Sequence, residues 1–357
     1  MSKMNELSSQ QCDRWREIQR SRPELDSPFF APEFSARVAE VLPDLQVAMI
    51  SEDQEITGFL PFHANALGVG KPAGMFLNDF QGIICDRPFT SPVKELLDGS
   101  NLKSWQFNHL IGSQQALASY QCEENPSPYV SIAKGFESYR IAQRKSGSNS
   151  IEQALRKERK LQREQGPLRF IWHTADDAAF ASLLDWKDAQ HRRTGIREVM
   201  RYPWVVDLLD RIRQHPTDEF AGVMCALYAG EQLVAVHLGL RCRHVLHWWI
   251  PTYNAEFDGY SPGLLLLMML IRQSREMGIE RIDLGKGHER YKTSMMTGAT
   301  TVAEGMLSKP GIAASLAGAT LRLRHWVRHS PLRETAQLPK RVIRKLEYWI
   351  ARSRSAK

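Results

Sequence analysis

The segment Asp283-Leu284-Gly285-Lys286-Gly287-His288-Glu289-Arg290-Tyr291-Lys292 crowds acids, bases and a phenol into one short stretch after a strand-like run. At the carboxyl end of a strand in an α/β sheet, where ligands tend to lie, such a stretch can move protons and hold charge. Tyr291 is a candidate proton donor or aligner of an acceptor group. Lys292 is a candidate charge partner for a substrate or cofactor phosphate, and Asp283 or Glu289 a candidate base. Each has an ordinary alternative: a packed tyrosine with its hydroxyl bonded, a surface lysine, an aspartate that braces the following loop. His237 and His247 sit in neighbouring predicted strands, and because an imidazole can change charge near neutral pH either can serve as a base or touch substrate. A hydrogen-bonded sheet histidine is the plainer reading of both. In the front half, Asn78-Asp79-Phe80-Gln81-Gly82 sets a carboxylate and an amide at a turn before a strand, where Asp79 alone is an ordinary turn former.

The elements that position these groups run from 243 to 285 as strand, glycine-proline turn, apolar helix and second strand. The turn Gly259-Tyr260-Ser261-Pro262-Gly263 opens a helix at Leu264 whose first amides and dipole predict an anion site able to hold a pyrophosphate. Pro262 suits the first helical position, Ser261 can cap it, and Gly263 admits a close ligand. The apolar run Leu264 to Ile271 is too short to cross a bilayer and reads as a buried core helix.

At 357 residues, with 43% hydrophobic and 9% aromatic side chains, the chain is globular and long enough for two domains. Neither a signal peptide nor a membrane anchor is visible at the start, so the expected location is the cytoplasm. Five cysteines (Cys12, Cys85, Cys122, Cys225, Cys242) are scattered and never form a CxxC pair, which argues against a disulfide framework and against a metal site. The net charge of +7 is uneven: from Pro310 onward eleven Lys or Arg face two acids, a net of +9, leaving about −2 on residues 1 to 309. A near-neutral body makes nucleic acid an unlikely partner.

Along the chain, strands Leu45 to Ile50 and Glu55 to His63 predict a hairpin, followed by a helix around Val93 to Leu97 and a strand Trp105 to Leu110. Residues 141–166 read as a basic helical connector whose charges form a solvated face. Strand Leu168 to His173, helices Ala175 to Arg192 and Tyr202 to Arg213, and the hairpin Phe220 to Tyr228 with Leu233 to Arg241 follow. Each half runs from helices to a meander, consistent with a duplicated fold. The expected divisions are 1–140, the connector, 167–310, and a tail 311–357 with an amphipathic helix (Leu338, Val342, Leu346, Trp349, Ile350 on one face). Such a tail can rest on an anionic membrane surface at the inner face of the membrane, or pack on its own protein.

Three passages, SPFFAPEF with GFLPFHANALGVGKPAGMFLNDFQGII, the SPGLLLL turn and helix, and DLGKGHERYK, together resemble the GNAT-type acetyltransferases of bacterial polysaccharide loci, the cellulose-biosynthesis or CelD-like proteins. The resemblance covers roughly residues 28 to 308. It implies an α/β (α+β) fold of two tandem GNAT-like domains, each a mixed, mostly antiparallel sheet flanked by helices, related in layout to Fem-type aminoacyl transferases. It also implies acetyl-coenzyme A or another acyl-coenzyme A as cofactor, without a metal. The GNAT loop Arg/Gln-x-x-Gly-x-Gly/Ala is replaced here by Asp258-Gly259-Tyr260-Ser261-Pro262-Gly263. Residues Tyr260 to Leu264 would hold the pyrophosphate, and strand Leu246 to Pro251, with Trp249 and Ile250, would offer amides to the pantetheine. The same resemblance raises Asp79 and Gln81 to substrate-facing residues.

Acyl transfer by direct attack of the acceptor on a thioester needs no covalent enzyme intermediate, in keeping with the lack of a GxSxG elbow or Cys/His pair. The leading expectation is an N- or O-acetyltransferase acting on a sugar or lipid-linked saccharide precursor. The alternatives are a Fem-type, aminoacyl-tRNA-dependent transferase, or a non-catalytic accessory protein that docks its tail on a polysaccharide synthase.

Overall fold

The computed structural model describes residues 1–195 and 198–309; the tail helix expected after 310 lies outside them. In chain order the front half comprises β1 (Ser2–Lys3), α1 (Ser9–Ser21), α2 (Pro32–Val41), β2 (Gln46–Glu52), β3 (Glu55–Ala64), β4 (Val69–Pro72), β5 (Ile84–Cys85), α3 (Val93–Gly99), β6 (Ser104–Ile111) and β7 (Gln121–Ser131). Helices α4 (Phe136–Lys145) and α5 (Ser150–Gln165) then lead to β8 (Leu168–Ile171), α6 (Asp177–Thr194), α7 (Pro203–Gln214), β9 (Phe220–Ala229), β10 (Gln232–Cys242) and β11 (Val245–Tyr253). The back half closes with α8 (Pro262–Ser274), β12 (Arg281–Asp283), α9 (Arg290–Met295) and β13 (Gly298–Ser308). Both expected hairpins form, with Asp53 and Gln54 at positive φ in the first turn and Gly230 in the second. The architecture is mixed α/β, a large sheet flanked by helices.

Two helices, a three-stranded meander, a helix and two further strands occur in each half, which is the order expected of a duplication. The strands nevertheless join one sheet, in the order β1-β2-β3-β4-β6-β13-β7-β12-β11-β10-β9-β8, with β5 beside β3. The last strand of each half is exchanged: β7 pairs with β12 of the back half, and β13 inserts between β6 and β7.

Neither exchanged strand is foreseen from its sequence, and in β7 the reason is visible. Pro126 and Pro128 cannot donate to a ladder and so argue against a central strand. Here both face the side on which β12 stops, and their carbonyls accept from Gly287 N–H (3.1 Å) and Leu284 N–H (2.8 Å). No donor is needed there, because the neighbour is the loop after β12 rather than another strand.

One face of the sheet is covered by α1, α2, α6 and α7 over a core that includes Trp15, Phe29, Phe34, Val205, Leu209, Met224 and Trp249, drawn from both halves. On the other face, α8 buries Leu265 to Ile271 as expected of a core helix. Burying each such side chain is worth roughly 1.5–3 kcal/mol. The basic connector is more than a solvated face: α5 turns Ile151, Ala154 and Leu161 into this core and leaves its lysines at the rim. A third core lies under α3 around Leu60, Leu97 and Trp105. All five cysteines are free thiols, and among the described residues no helix is long and apolar enough to cross a membrane.

The seam is tightest at Gly305, where the register of β13 shifts against both neighbours. A Cβ there would be driven into the Tyr120 carbonyl and would lie 2.7 Å from the Phe107 ring. Gly305→Ala is expected to destabilise the protein by about 1–3 kcal/mol, the cost of overpacking. Urea unfolding checks this, and an unchanged midpoint would show that the exchanged strands are not close-packed.

Candidate active site

Strands β11 and β12 run parallel for only three pairs, Val245, Leu246 and His247 against Arg281, Ile282 and Asp283, and then part. Beyond that point β12 gives way to a loop through Gly285 and Gly287, both at positive φ, while β11 continues to Tyr253 with one edge open. On its other edge, β11 meets β10 across a register shift between Leu238 and Leu240. The extra residue lies on β11, where Trp248 and Trp249 oppose the single Gly239, and a Cβ on that glycine would come within 2.5 Å of the His237 ring and 2.7 Å of the His247 carbonyl.

His237 fills this bulge. Its Nε2 accepts from the Trp249 N–H (3.2 Å) and its ring stacks on Trp248 at 4.0 Å. Burial holds its pKa well below the ordinary value, so the ring is neutral. The Trp249 amide, expected to be offered to a cofactor, is thus already taken by His237. The Trp249 indole donates to the Leu77 carbonyl (3.0 Å) and ties the two halves together. Ile250 is buried in the core shared by both halves.

The front-half turn lies against this splay. Asn78 shapes it by accepting from Phe80 N–H (3.0 Å) and donating to the Ala73 carbonyl (3.1 Å). Gln81 braces it and is spent in doing so: its NH2 donates to the Asn78 carbonyl and Asn108 Oδ1, and its Oε1 accepts from the Asn108 and His109 amides. A substrate-binding role for Gln81 would have to break these bonds. Asp79 crosses to the back half, where its Oδ2 accepts from His247 Nε2–H (3.0 Å). Its Oδ1 lies 3.7 Å from His109 Nε2 on β6. The tautomer of His247 follows from its carboxylate partner. Phe29 and Phe80 stand edge-on to the His247 ring, and a Cβ on Gly285 would sit 3.6 Å from both Asp79 Oδ2 and His247 Nε2.

His247 is fully buried, whereas the Asp79 side chain keeps 24% of its exposure. The carboxylate is therefore the member of the pair that opens to the crevice. Burial raises the Asp79 pKa, but the His247 hydrogen bond and the charges of His109, His247 and Lys292 outweigh that and leave it below the usual range. Burial, together with Lys286, lowers His109 to about 4 against the pull of Asp79. Lys187, on α6, completes the crevice by donating to the Pro251 carbonyl on the open part of β11 (3.0 Å). Burial and the Lys292 charge lower it to about 8, partly opposed by Asp79.

The segment 283–292 distributes its groups unequally. Asp283 is 1% exposed and paired with Arg281 at 2.7 Å. It braces β12, and burial raises its pKa against the Arg281 and His247 charges. Glu289 stands on the rim, 3.2 Å from Lys292. The Lys292 ammonium also donates to the carbonyls of Gly285 (3.3 Å) and Lys286 (2.9 Å), so it holds the loop together beneath Asp79. Tyr291 is half-buried beside Trp248, and burial raises its pKa, keeping the hydroxyl protonated.

At the start of α8 the expected cap is absent. Ser261 adopts a left-handed conformation (φ 53°), and its Oγ accepts from Lys157 of α5 instead of from the helix. The Leu264 and Leu265 amides both donate to the Ser261 carbonyl, and Pro262 has none to give. Gly263 N–H is the leading amide left without a partner among the described residues. A Cβ on Gly263 would meet only the Tyr253 ring, at 3.5 Å. Tyr260 is held to α5, its hydroxyl donating to Glu164 (2.8 Å) and its ring lying 5.2 Å below Lys160 Nζ. A hollow of about 50 Å³ lined by Trp186, Gln190, Arg193, Thr252 and Tyr253 lies between this corner and the crevice.

The structure thus brings Asp79, His247 and Lys292 together and keeps Gln81, His237 and Asp283 as braces. Lys187, His109, Lys157 and Lys160 were missed in the sequence. The lysines of α5 left a signal, their i, i+3 spacing in the basic segment; Lys187 and His109 left none.

Because His109 is held neutral to about 4 in the folded chain against an ordinary 6.5, the folded state binds fewer protons than the unfolded one between those values. Stability should therefore fall as pH drops through that window. His109→Asn is expected to flatten this limb in urea midpoints taken from pH 7 to about 4; an unchanged slope would assign it to other groups.

Residues 148–293 match the family model described as an acetyltransferase (GNAT) domain. No curated protein matches the sequence. Among solved structures, the chain is similar to the C-terminal domain of a putative lysylphosphatidylglycerol synthetase from Agrobacterium fabrum, with 14% identity, a TM-score of 0.52, and 87% of this chain and 95% of that one covered. It is also similar to FemX, with 10% identity, a TM-score of 0.55, and 83% and 94% covered. At such identities the likeness is one of fold. The part of the chain that is similar to an acetyltransferase (GNAT) domain, residues 148–293, thus carries α5, the open strand β11, the turn before α8 and the loop after β12, and it is this part that supports an acyltransferase.

Proposed function

We propose that the protein transfers an acetyl or similar acyl group from acyl-coenzyme A to a hydroxyl or amine of a saccharide or lipid-linked saccharide precursor, as in the CelD-like proteins of polysaccharide loci. The observation that carries this reading is the continuity of one surface. An unpartnered amide at Gly263, beside the Lys157 and Lys160 side chains, leads along the open edge of β11 to the partly exposed carboxylate of Asp79.

These residues fit a diphosphate-bearing thioester. The Gly263 N–H and the dipole of α8 suit a phosphate, the α5 lysines add charge, and the glycine leaves room for close approach. Acyl-coenzyme A, when bound, supplies an activated carbonyl. Asp79 is placed to accept the proton of the attacking hydroxyl or amine at its carboxylate, held in orientation by His247 and His109. Lys292 fixes the loop beneath it and keeps the crevice positive. Tyr291 holds a donatable proton at Oη. The acid-base role expected of Asp283 or Glu289 passes to Asp79, since Asp283 is closed off by Arg281 and Glu289 lies on the rim.

Calorimetric titration with acetyl-coenzyme A is expected to give saturable binding, weakened at least about tenfold by Gly263→Val, a loss of about 1.4 kcal/mol. No heat from the wild-type protein at millimolar ligand would remove the reading. Asp79→Asn is expected to lower kcat by about 10²–10⁴ while acetyl-coenzyme A binding persists; full activity in that variant would place the base elsewhere. An aminoacyl-tRNA donor would appear instead as tRNA binding that falls steeply with salt, against which the near-neutral body counts.

A further inference from the structure

Lys187 is a half-buried cation with little around it to replace lost hydration. Taking an ammonium out of water costs several kcal/mol unless charges or hydrogen bonds replace the lost hydration. Buried Arg213, beside the start of α6, has such replacement, with Asp177 and Asp210 at 2.5 and 2.7 Å. Lys187 has no ion-pair partner among the described residues, and the one hydrogen bond it makes there is to the Pro251 carbonyl. An ammonium carries three donors, so two are left. Helix α6 packs its Leu183 and Phe180 into the core and leaves Lys187 on the side facing β11. The amine thereby reaches the stretch of β11 that has lost its β12 neighbour, close enough to Asp79 and Lys292 to feel both charges.

Lys292 does not offer the same capacity, because two carbonyls and Glu289 occupy its donors. A cation with spare donors, within electrostatic reach of a partly exposed carboxylate and at an open strand edge, has the makeup of a site where negative charge appears during reaction.

We propose that Lys187 is a catalytic residue, its ammonium donating to the acyl carbonyl oxygen as negative charge builds there during transfer. The inference rests on the acyltransferase reading above. The bond formed joins the acceptor oxygen or nitrogen to the acyl carbon, the carbon–sulfur bond breaks, the acceptor proton passes to Asp79, and the sulfur leaves as thiolate. Lys187 keeps its proton throughout.

The groups that face Lys187 are Asp79 from the front-half turn, Lys292 from α9, His237 from β10 and His191 from its own helix. Because it is lowered to about 8, a donor role makes activity fall as pH rises through that value, and a proton-accepting role makes it rise.

The test uses the full chain, acetyl-coenzyme A as donor and hydroxylamine as acceptor. Lys187→Met should lower kcat by about 10²–10³ with little change in KM, and calorimetry should give the same dissociation constant as wild type within about twofold. Lys187→Arg should recover part of the rate and move the alkaline limb to higher pH. As a readout apart from turnover, the infrared stretch of the carbon-13-labelled acetyl carbonyl, bound without acceptor, should lie at lower frequency in wild type than in Lys187→Met. Equal rates, a limb that rises through pH 8, or identical carbonyl frequencies would each overturn the proposal for Lys187 and leave the acyltransferase reading standing. Absence of acetyl-coenzyme A binding to wild type would overturn both.

Discussion

The exchange of β7 and β13 between the halves is the constraint on which the site depends. A strand hydrogen-bonded on both edges cannot shift without breaking two ladders, and here the two central strands are each held by elements of the opposite half. That lock fixes the front-half turn at 78–82 against the ends of β11 and β12. Tandem domains joined by a linker alone would leave this distance free to vary, and a 3.0 Å bond between Asp79 and His247 would not be dictated by the fold. The prolines of β7 serve the same end. A residue with a free N–H at 126 or 128 would turn an unpaired donor toward the loop that begins at Leu284, whereas proline presents only the carbonyls that loop requires.

Charge in the crevice follows from burial and pairing acting against each other. Two imidazoles, His237 and His109, are held neutral by desolvation, so they brace and orient without adding positive charge. Asp79 stays ionised because its partners outweigh its burial. Asp283, its chemical equal, is pushed the other way by deeper burial and is neutralised by Arg281. Two aspartates on neighbouring elements thus acquire different characters from environment alone, one open to the cleft and one a structural brace.

The proposed anion corner is assembled from parts distant in sequence. One free amide at Gly263 is a weak ligand by itself, and the uncapped Ser261 would leave the turn loose. Lys157 ties the turn to α5 through the Ser261 hydroxyl, and Tyr260 does so again through Glu164, which draws the lysines of the connector to the place where the helix dipole is positive. Ser261 gives up its cap for that tie, and the left-handed backbone it adopts turns the chain from the short helix after Tyr253 into α8.

Local pattern already determined a good deal. Alternating apolar runs with turn residues between them specify both hairpins, the unbroken run after Gly263 specifies a buried helix, and the strand–turn–helix–strand order around it is the basis of the proposed anion corner, because each of these depends on residues adjacent in the chain. The chemistry-bearing loop 283–292 was likewise visible as a concentration of ionisable groups. Tertiary structure alone decided which of those groups open to the crevice and which are closed off. That Asp79 meets His247, that Trp249 has surrendered its amide to His237, that Gln81 is fully bonded, and that Lys187 reaches the open edge of β11 are all consequences of strand exchange and of burial. Both link residues far apart in the chain, so neither the exchanged pairing nor the desolvation it imposes leaves a periodic trace in the sequence.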